Sequence, residues 1–251
     1  MRKALGLLAL LGLLIGLLFV ANRLRGLHFT VTGQPGDLLY AAAFAGEPDG
    51  WSTYDDGRLS AIVEDGGLVV RANQASSAAF SAGPFWFEDA TLQAVAAAVE
   101  GPLDNGFGLM VALNTQDNQR PDDDAYLLFL ISSDGYYAVR QRLNGAEQVL
   151  STWIPSAAIQ TGLGVENDLS VTLTDGRAAF SVNGQPLAFC VPNQPDGEST
   201  YYLDQCVDGQ MLDTLPVADA GPGQVGVVAL TTASGGPGVA VRFDGVTVLA
   251  P

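Results

Sequence analysis

The sequence predicts an all-β fold, an antiparallel sandwich or barrel, behind one apolar N-terminal helix. Three observations carry this. Short apolar runs follow one another at regular spacing from residue 37 to the C-terminus, Asp-Gly and Asn-Gly dipeptides separate many of them, and no long stretch has a 3.6-residue period.

The N-terminal element is residues 4–21, "ALGLLALLGLLIGLLFVA", 18 residues without a charge. As a helix this run spans about 27 Å, enough for a bilayer core. The Val20-Ala21-Asn22 stretch is a poor cleavage site, and Asn22-Arg23-Leu24-Arg25 follows at once. Residues 1–26 therefore read as an uncleaved membrane anchor, with a cleaved signal sequence as the alternative; 27–36 read as a linker. Arg2 and Lys3 before the run nearly balance Arg23 and Arg25 after it, so the flanking charges alone do not set orientation.

The strands follow in order at 38–44, 59–64, 68–72, 90–100, 106–114, 125–133, 136–143, 147–153, 169–174, 178–182, 187–191, 224–232 and 239–249. Asp-Gly at 56–57, 65–66, 134–135, 175–176 and 244–245, and Asn-Gly at 144–145 and 183–184, supply turns. Both residues of such a pair tolerate positive φ, which tight hairpins require. Only residues 155–159 suit a helical turn.

All 27 acids lie after residue 26, against 7 arginines and no lysine there, a net charge near −20. This charge opposes nucleic acid and anionic lipid and suits a domain in an extracellular or periplasmic space. Together with the cysteines it places the main domain outside the cytoplasm, on a single-pass protein of the cell membrane. The one histidine, His28, sits beside the apolar run, which removes histidine acid–base chemistry and histidine metal sites from the main domain. Cys190 and Cys206 have no zinc or CxxC spacing; in an exported domain they read as a disulfide, the alternative being two buried thiols.

"DNGFGLMVALN", "DDAYLLFLISSDGYYAVRQRLNG", "LSVTLTDGRAAFSVNGQPL" and "GQVGVVAL…VAVRFDGVTVLAP", in that order, resemble the concanavalin A-like jelly-roll family, in particular its laminin-G-like and 3-keto-disaccharide hydrolase-type branch. The resemblance covers about residues 37–251 and implies a two-sheet antiparallel jelly-roll sandwich, many of whose members bind or process carbohydrate. Two features depart from the pattern. Acids that often precede the Phe of the first strand, some serving calcium, are replaced by alanines at 41–43. A long connection at about 191–223 reads as an insertion stapled by Cys190 and Cys206.

The hairpin at 126–142, "YLLFLISSDGYYAVRQR", is the candidate binding element. A two-residue Asp134-Gly135 loop would pair Phe129 with Arg140 and Leu127 with Arg142. One face would then hold Leu128, Leu130, Tyr137 and Val139 as core, and the other Phe129, Ile131, Tyr136, Arg140 and Arg142. Aromatic rings beside arginines suit sugars, because rings stack on apolar pyranose faces and guanidinium groups donate to hydroxyls or carboxylates. Trp153 on the next strand would extend the surface. The competing reading is cross-strand pairing for stability alone.

Catalytic machinery is incomplete. Glu166-Asn167-Asp168 offers two acids, but the third acid of the family's E-x-D-x-E or E-x-D-x-x-E strand is absent, and there is no nucleophile elbow or triad histidine. No cofactor is expected. Asp117, Asp122, Asp123 and Asp124 crowd one loop as the only candidate calcium ligands, against the reading of a solvated acidic loop. The chain thus reads as a membrane-tethered, non-catalytic module for carbohydrate or a cell-surface ligand. The alternatives are a glycoside-processing enzyme of the 3-keto-disaccharide hydrolase type and a protein-binding adhesion or structural module.

Overall fold

Twenty strands and no helix are found among the described residues of a computed structural model, which are 29–114, 124–143, 145–194, 197–218, 221–232 and 238–251. The strands are β1 (Leu38–Ala42), β2 (Tyr54–Asp55), β3 (Leu59–Glu64), β4 (Gly67–Ala72), β5 (Ala78–Phe87), β6 (Ala90–Glu100) and β7 (Gly106–Asn114). Next come β8 (Ala125–Ile131), β9 (Tyr136–Leu143), β10 (Ala146–Pro155), β11 (Asn167–Thr174), β12 (Arg177–Val182), β13 (Gln185–Pro186) and β14 (Phe189–Pro192). β15 (Thr200–Tyr202), β16 (Gln205–Val207), β17 (Gly209–Leu212), β18 (Leu215–Pro216), β19 (Gly223–Leu230) and β20 (Val239–Leu249) complete the chain. The expected anchor at 4–21 lies outside the described residues. Among those described, no helix is long and apolar enough to cross a membrane.

The chain from Val31 to Pro251 forms one compact unit. Its larger sheet runs β13-β12-β11-β6-β20-β4-β3-β2, with β1 also on β20 and β18 on β12; the smaller runs β10-β9-β8-β7-β19-β5. The two sheets face each other across one core. Alternate residues of β6 (Leu92, Ala94, Ala96, Ala98), β11 (Leu169, Val171, Leu173) and β20 (Val241, Phe243, Val246, Val248) meet Phe107 and Leu109 of β7, Leu127, Phe129 and Ile131 of β8, and Val225 and Val227 of β19. The two-residue side-chain period of a strand puts these residues on one face, and in β20 the register shift between Phe243 and Gly245 returns Val246 to it. Each large apolar side chain buried this way stabilises the fold by about 1.5–3 kcal/mol.

Three of the expected tight turns form with both central residues at positive φ: Asp65-Gly66 (49°, 76°), Asp175-Gly176 (50°, 68°) and Asn183-Gly184 (51°, 73°). Three Asp-Gly pairs behave otherwise, and at Asp56-Gly57 only the glycine has positive φ, 80°. Asp244-Gly245 is no turn: it lies inside β20, where the register against β6 shifts between Phe243 and Gly245. At Asp134-Gly135 only the glycine has positive φ, 97°. Ile131 pairs with Tyr137, and Ser132 N–H donates to Tyr136 O at 2.8 Å, so the loop holds three residues, Ser133 to Gly135. A three-residue loop with its last residue left-handed is the next common hairpin after the two-residue type.

That one extra residue corrects the expected pairing. Phe129 pairs with Val139, Leu128 with Arg140 and Tyr126 with Arg142. β9 keeps the orientation read from its sequence, Tyr137 and Val139 inward, but β8 turns over: Phe129 and Ile131 enter the core, and Leu128 and Leu130 face out. Nothing in the pattern of β8 could choose, because it is buried on both faces; Leu128 and Leu130 are 5% and 0% exposed within a second apolar cluster with Met110, Val228 and Leu230.

β5 is not among the strands expected from sequence, its run being interrupted by Gly83-Pro84. The register of β5 on β19 shifts there, between the Gln224–Trp86 and Gly226–Ala82 pairs. β5 is an edge strand, where a proline is tolerated. Its open edge is capped locally: Phe80 N–H donates to the Tyr54 hydroxyl at 3.2 Å, and Ala82 O accepts from Ser52 N–H at 2.9 Å.

The cysteines of the insertion are bonded, Cys190 to Cys206, S–S 2.00 Å. Phe189, next to Cys190, anchors the insertion in the core. Its ring meets Tyr137 edge-on at 5.3 Å and Phe180 at 4.8 Å, and Phe180 in turn meets Phe129 at 5.2 Å.

Candidate functional site

The site assembles at one end of the smaller sheet, on its outer face. Tyr136 stands at the start of β9 beside the hairpin loop and is 40% exposed. Two register shifts in β10 leave Ile154 inward, across from Tyr137, and so turn Trp153 outward, where it packs against the second apolar cluster. Tyr136 and Trp153 line one depression of about 280 Å³ with Asp104, Asn105, Ser132, Asp134 and Thr232.

The polar wall of this depression is fixed by its own hydrogen bonds. Asn105, 1% exposed, accepts Ser133 N–H at 3.2 Å and donates to Pro102 O at 2.8 Å. Asp134 N–H donates to Leu103 O at 3.0 Å, so the loop before β7 and the β8–β9 hairpin are laced together. The Ser132 hydroxyl accepts Tyr136 N–H at 3.1 Å and donates to Asp134 Oδ1. Gly135 O accepts Ser156 N–H at 2.9 Å, tying the loop to the segment after β10. These contacts hold the tyrosine and tryptophan on a rigid frame, as a preorganised binding surface requires.

The residues expected to form one surface therefore separate. Tyr136 and Trp153 come together. Phe129 does not join them: it is 1% exposed and packs on Phe180, because the three-residue loop turned β8 over. Arg140 and Arg142 share the outer face but lie farther along β9, four and six residues from Tyr136. At about 3.3 Å per residue these are roughly 13 and 20 Å away. Arg140 is paired with Glu147 at 2.9 Å. Tyr126, opposite Arg142, has its hydroxyl pKa pushed up by burial, and the charge and hydrogen bond of Arg142 oppose that rise. Asp104, Asn105, Ser132 and Thr232 escaped the sequence reading because only the sheet order brings β7, β8 and β19 to one end.

Of the expected calcium ligands, Asp117, Asp122 and Asp123 lie outside the described residues. Among those described, including Asp124, no group of three or more acids, histidines or cysteines is placed to hold a metal ion. Glu166 and Asp168 meet on the outer face of the larger sheet. With Gln93, Asp244 and Thr247 they line a depression of about 470 Å³. Asn167 between them points inward and is 2% exposed; it accepts Gln160 N–H at 2.8 Å and an Asn183 side-chain N–H at 2.9 Å.

No family model and no curated protein sequence matches the chain. Solved structures do. One is carbohydrate-binding module CBM66 from Bacillus subtilis: TM-score 0.51, 11% identity, 80% of this chain and 95% of the other covered. Another is the catalytic domain of an endo-1,3-β-glucanase (laminarinase) from Thermotoga petrophila, with TM-score 0.52, 12% identity and coverage of 85% and 97%. A third is the potassium-bound carbohydrate recognition domain of Emp46p: TM-score 0.52, 10% identity, 85% and 94% covered. The fold is the concanavalin A-like jelly roll. At these identities the likeness fixes the fold alone. Both catalytic and non-catalytic proteins share this jelly roll, so the choice between them rests on the side chains above.

Proposed function

We propose that the chain is a non-catalytic carbohydrate-binding module, tethered by residues 4–21 and held on the extracytoplasmic side of the cell membrane. The observation that carries the binding reading is the meeting of Tyr136 and Trp153 in one depression with a hydrogen-bonded polar wall. An exposed ring beside fixed hydroxyl, amide and carboxylate groups offers both halves of sugar recognition, stacking and hydrogen bonding. The uncharged run at 4–21, the Cys190–Cys206 bond and the acidic main domain support the tether and its side of the membrane.

Binding is tested by affinity electrophoresis and calorimetry against a panel of soluble glycans. Trp153→Ala is expected to weaken binding by about 2 kcal/mol, roughly thirtyfold in Kd. A panel without a single hit, or hits indifferent to both Trp153→Ala and Tyr136→Ala, would overturn the reading. For the tether, membrane fractionation and protease accessibility of intact cells are expected to give a membrane-bound, externally cleaved chain.

A second reading, a glycoside-processing enzyme, is favoured by one observation: Glu166, Asp168 and Asp244 line the same depression. It requires saccharide turnover that is lost in Asp168→Asn and retained in Trp153→Ala.

A further inference from the structure

Resting on the reading of the Tyr136–Trp153 depression as a sugar site, we propose its ligand class: a saccharide carrying a free, protonated amine, a de-N-acetylated hexosamine, preferred over neutral or acidic sugars. The charged residues of the lining are Asp104 and Asp134, and no basic residue lines it. Asp134 is exposed; its Oδ1 takes the Ser132 hydroxyl, and its Oδ2 has no partner among the described residues. That oxygen is an acceptor for an ammonium N–H, a charge-assisted bond stronger than one to a neutral hydroxyl.

The aromatic pair acts in the same direction. The faces of tyrosine and tryptophan carry negative potential and attract cations within about 6 Å of the ring centre. The nearest basic groups on this face do not cancel the effect. Arg140 is four residues along β9 and already paired with Glu147, and Arg142 stands across from Glu147 in the register. The charge near −20 after residue 26 raises the local concentration of cations and repels uronates and sulfated sugars. A carboxylated sugar would meet the exposed Asp134 carboxylate directly.

The test uses the full chain in non-ionic detergent at low salt, with calorimetry against a glucosamine oligomer, the N-acetylglucosamine oligomer of equal length and a neutral β-1,3-glucan oligomer. The glucosamine oligomer is expected to bind at least tenfold more tightly than either of the others. The preference should vanish when the pH is raised until the amine is neutral. Asp134→Asn and Asp104→Asn should each reduce it, whereas Asp65→Asn, which removes the same charge from the β3–β4 turn, should leave it unchanged. If the acetylated or neutral oligomer binds equally well through Trp153, the amine preference is overturned and the sugar site stands. If the glucosamine oligomer binds equally to Trp153→Ala and Tyr136→Ala and is released by 0.5 M salt, the attraction belongs to the acidic surface at large, and the inference falls. If no oligomer binds, this inference falls, and a failed glycan panel would take the sugar site with it.

Discussion

Phe129 and Tyr136 are seven residues apart on one hairpin and have opposite work. Phe129 fills the core against Phe180, so Phe129→Ala is expected to cost about 3–5 kcal/mol in urea unfolding. Tyr136, 40% exposed, should cost less than about 1 kcal/mol as alanine while weakening glycan binding. Tyr137 tests burial in a different way. Its hydroxyl donates to Ala188 O at 2.6 Å, and burial, with Tyr201 nearby, pushes its pKa up to about 12. The unfolded tyrosine releases its proton near pH 10, so between about pH 10 and 12 the folded state holds the extra proton and stability falls as pH rises. Below pH 10 this contribution is fully present. Tyr137→Phe should flatten the fall of denaturation midpoints across that window. Tyr40, Tyr54 and Tyr126, also raised by burial, leave part of the slope in place.

At the scale of elements, the hairpins that could be read from sequence are those whose Asp-Gly or Asn-Gly pair is free to take positive φ at both residues, as at 65–66, 175–176 and 183–184. The pair at 134–135 is not free. Its loop is held by Leu103 and Asn105 from the connection before β7 and by Ser156 and Gly162 from the connection after β10, and these contacts set the longer loop. β5 went unread because Gly83-Pro84 resembles a turn; on an edge strand it is instead a register shift. The insertion was legible as a stapled segment but not as part of the core, since its Leu215 and Val217 become buried only once the sheets meet. Replacing both Cys190 and Cys206 by serine or alanine should cost about 3 kcal/mol in thermal or denaturant unfolding, from the entropy of the released loop. Proteolysis between residues 197 and 208 should then quicken while β14, anchored by Phe189, stays protected.

For the whole molecule, 27 acids against 7 arginines after residue 26 make self-repulsion part of the stability balance. Of the ion pairs formed, Arg71–Glu64, Arg140–Glu147 and Arg242–Asp244 are partly exposed and contribute little each. Calorimetry is therefore expected to show Tm rising as NaCl goes from 0.05 to 0.5 M, because screening weakens repulsion among many like charges more than it weakens such exposed pairs. A Tm that falls with salt would mean that the pairs outweigh the net charge.

By itself the sequence determined the class of fold, the bounds of most strands and the inward face of β9. Two-residue alternation and turn chemistry are local properties, and arginine at 140 and 142 marks the outward side of that strand. Tertiary structure alone decided the orientation of β8 and the composition of the depression. An apolar strand buried on both faces carries no preference for either. The loop that breaks the tie is set by hydrogen bonds to residues distant in the chain, and these same contacts bring Asp104, Asp134, Tyr136 and Trp153 to one end of the sheet.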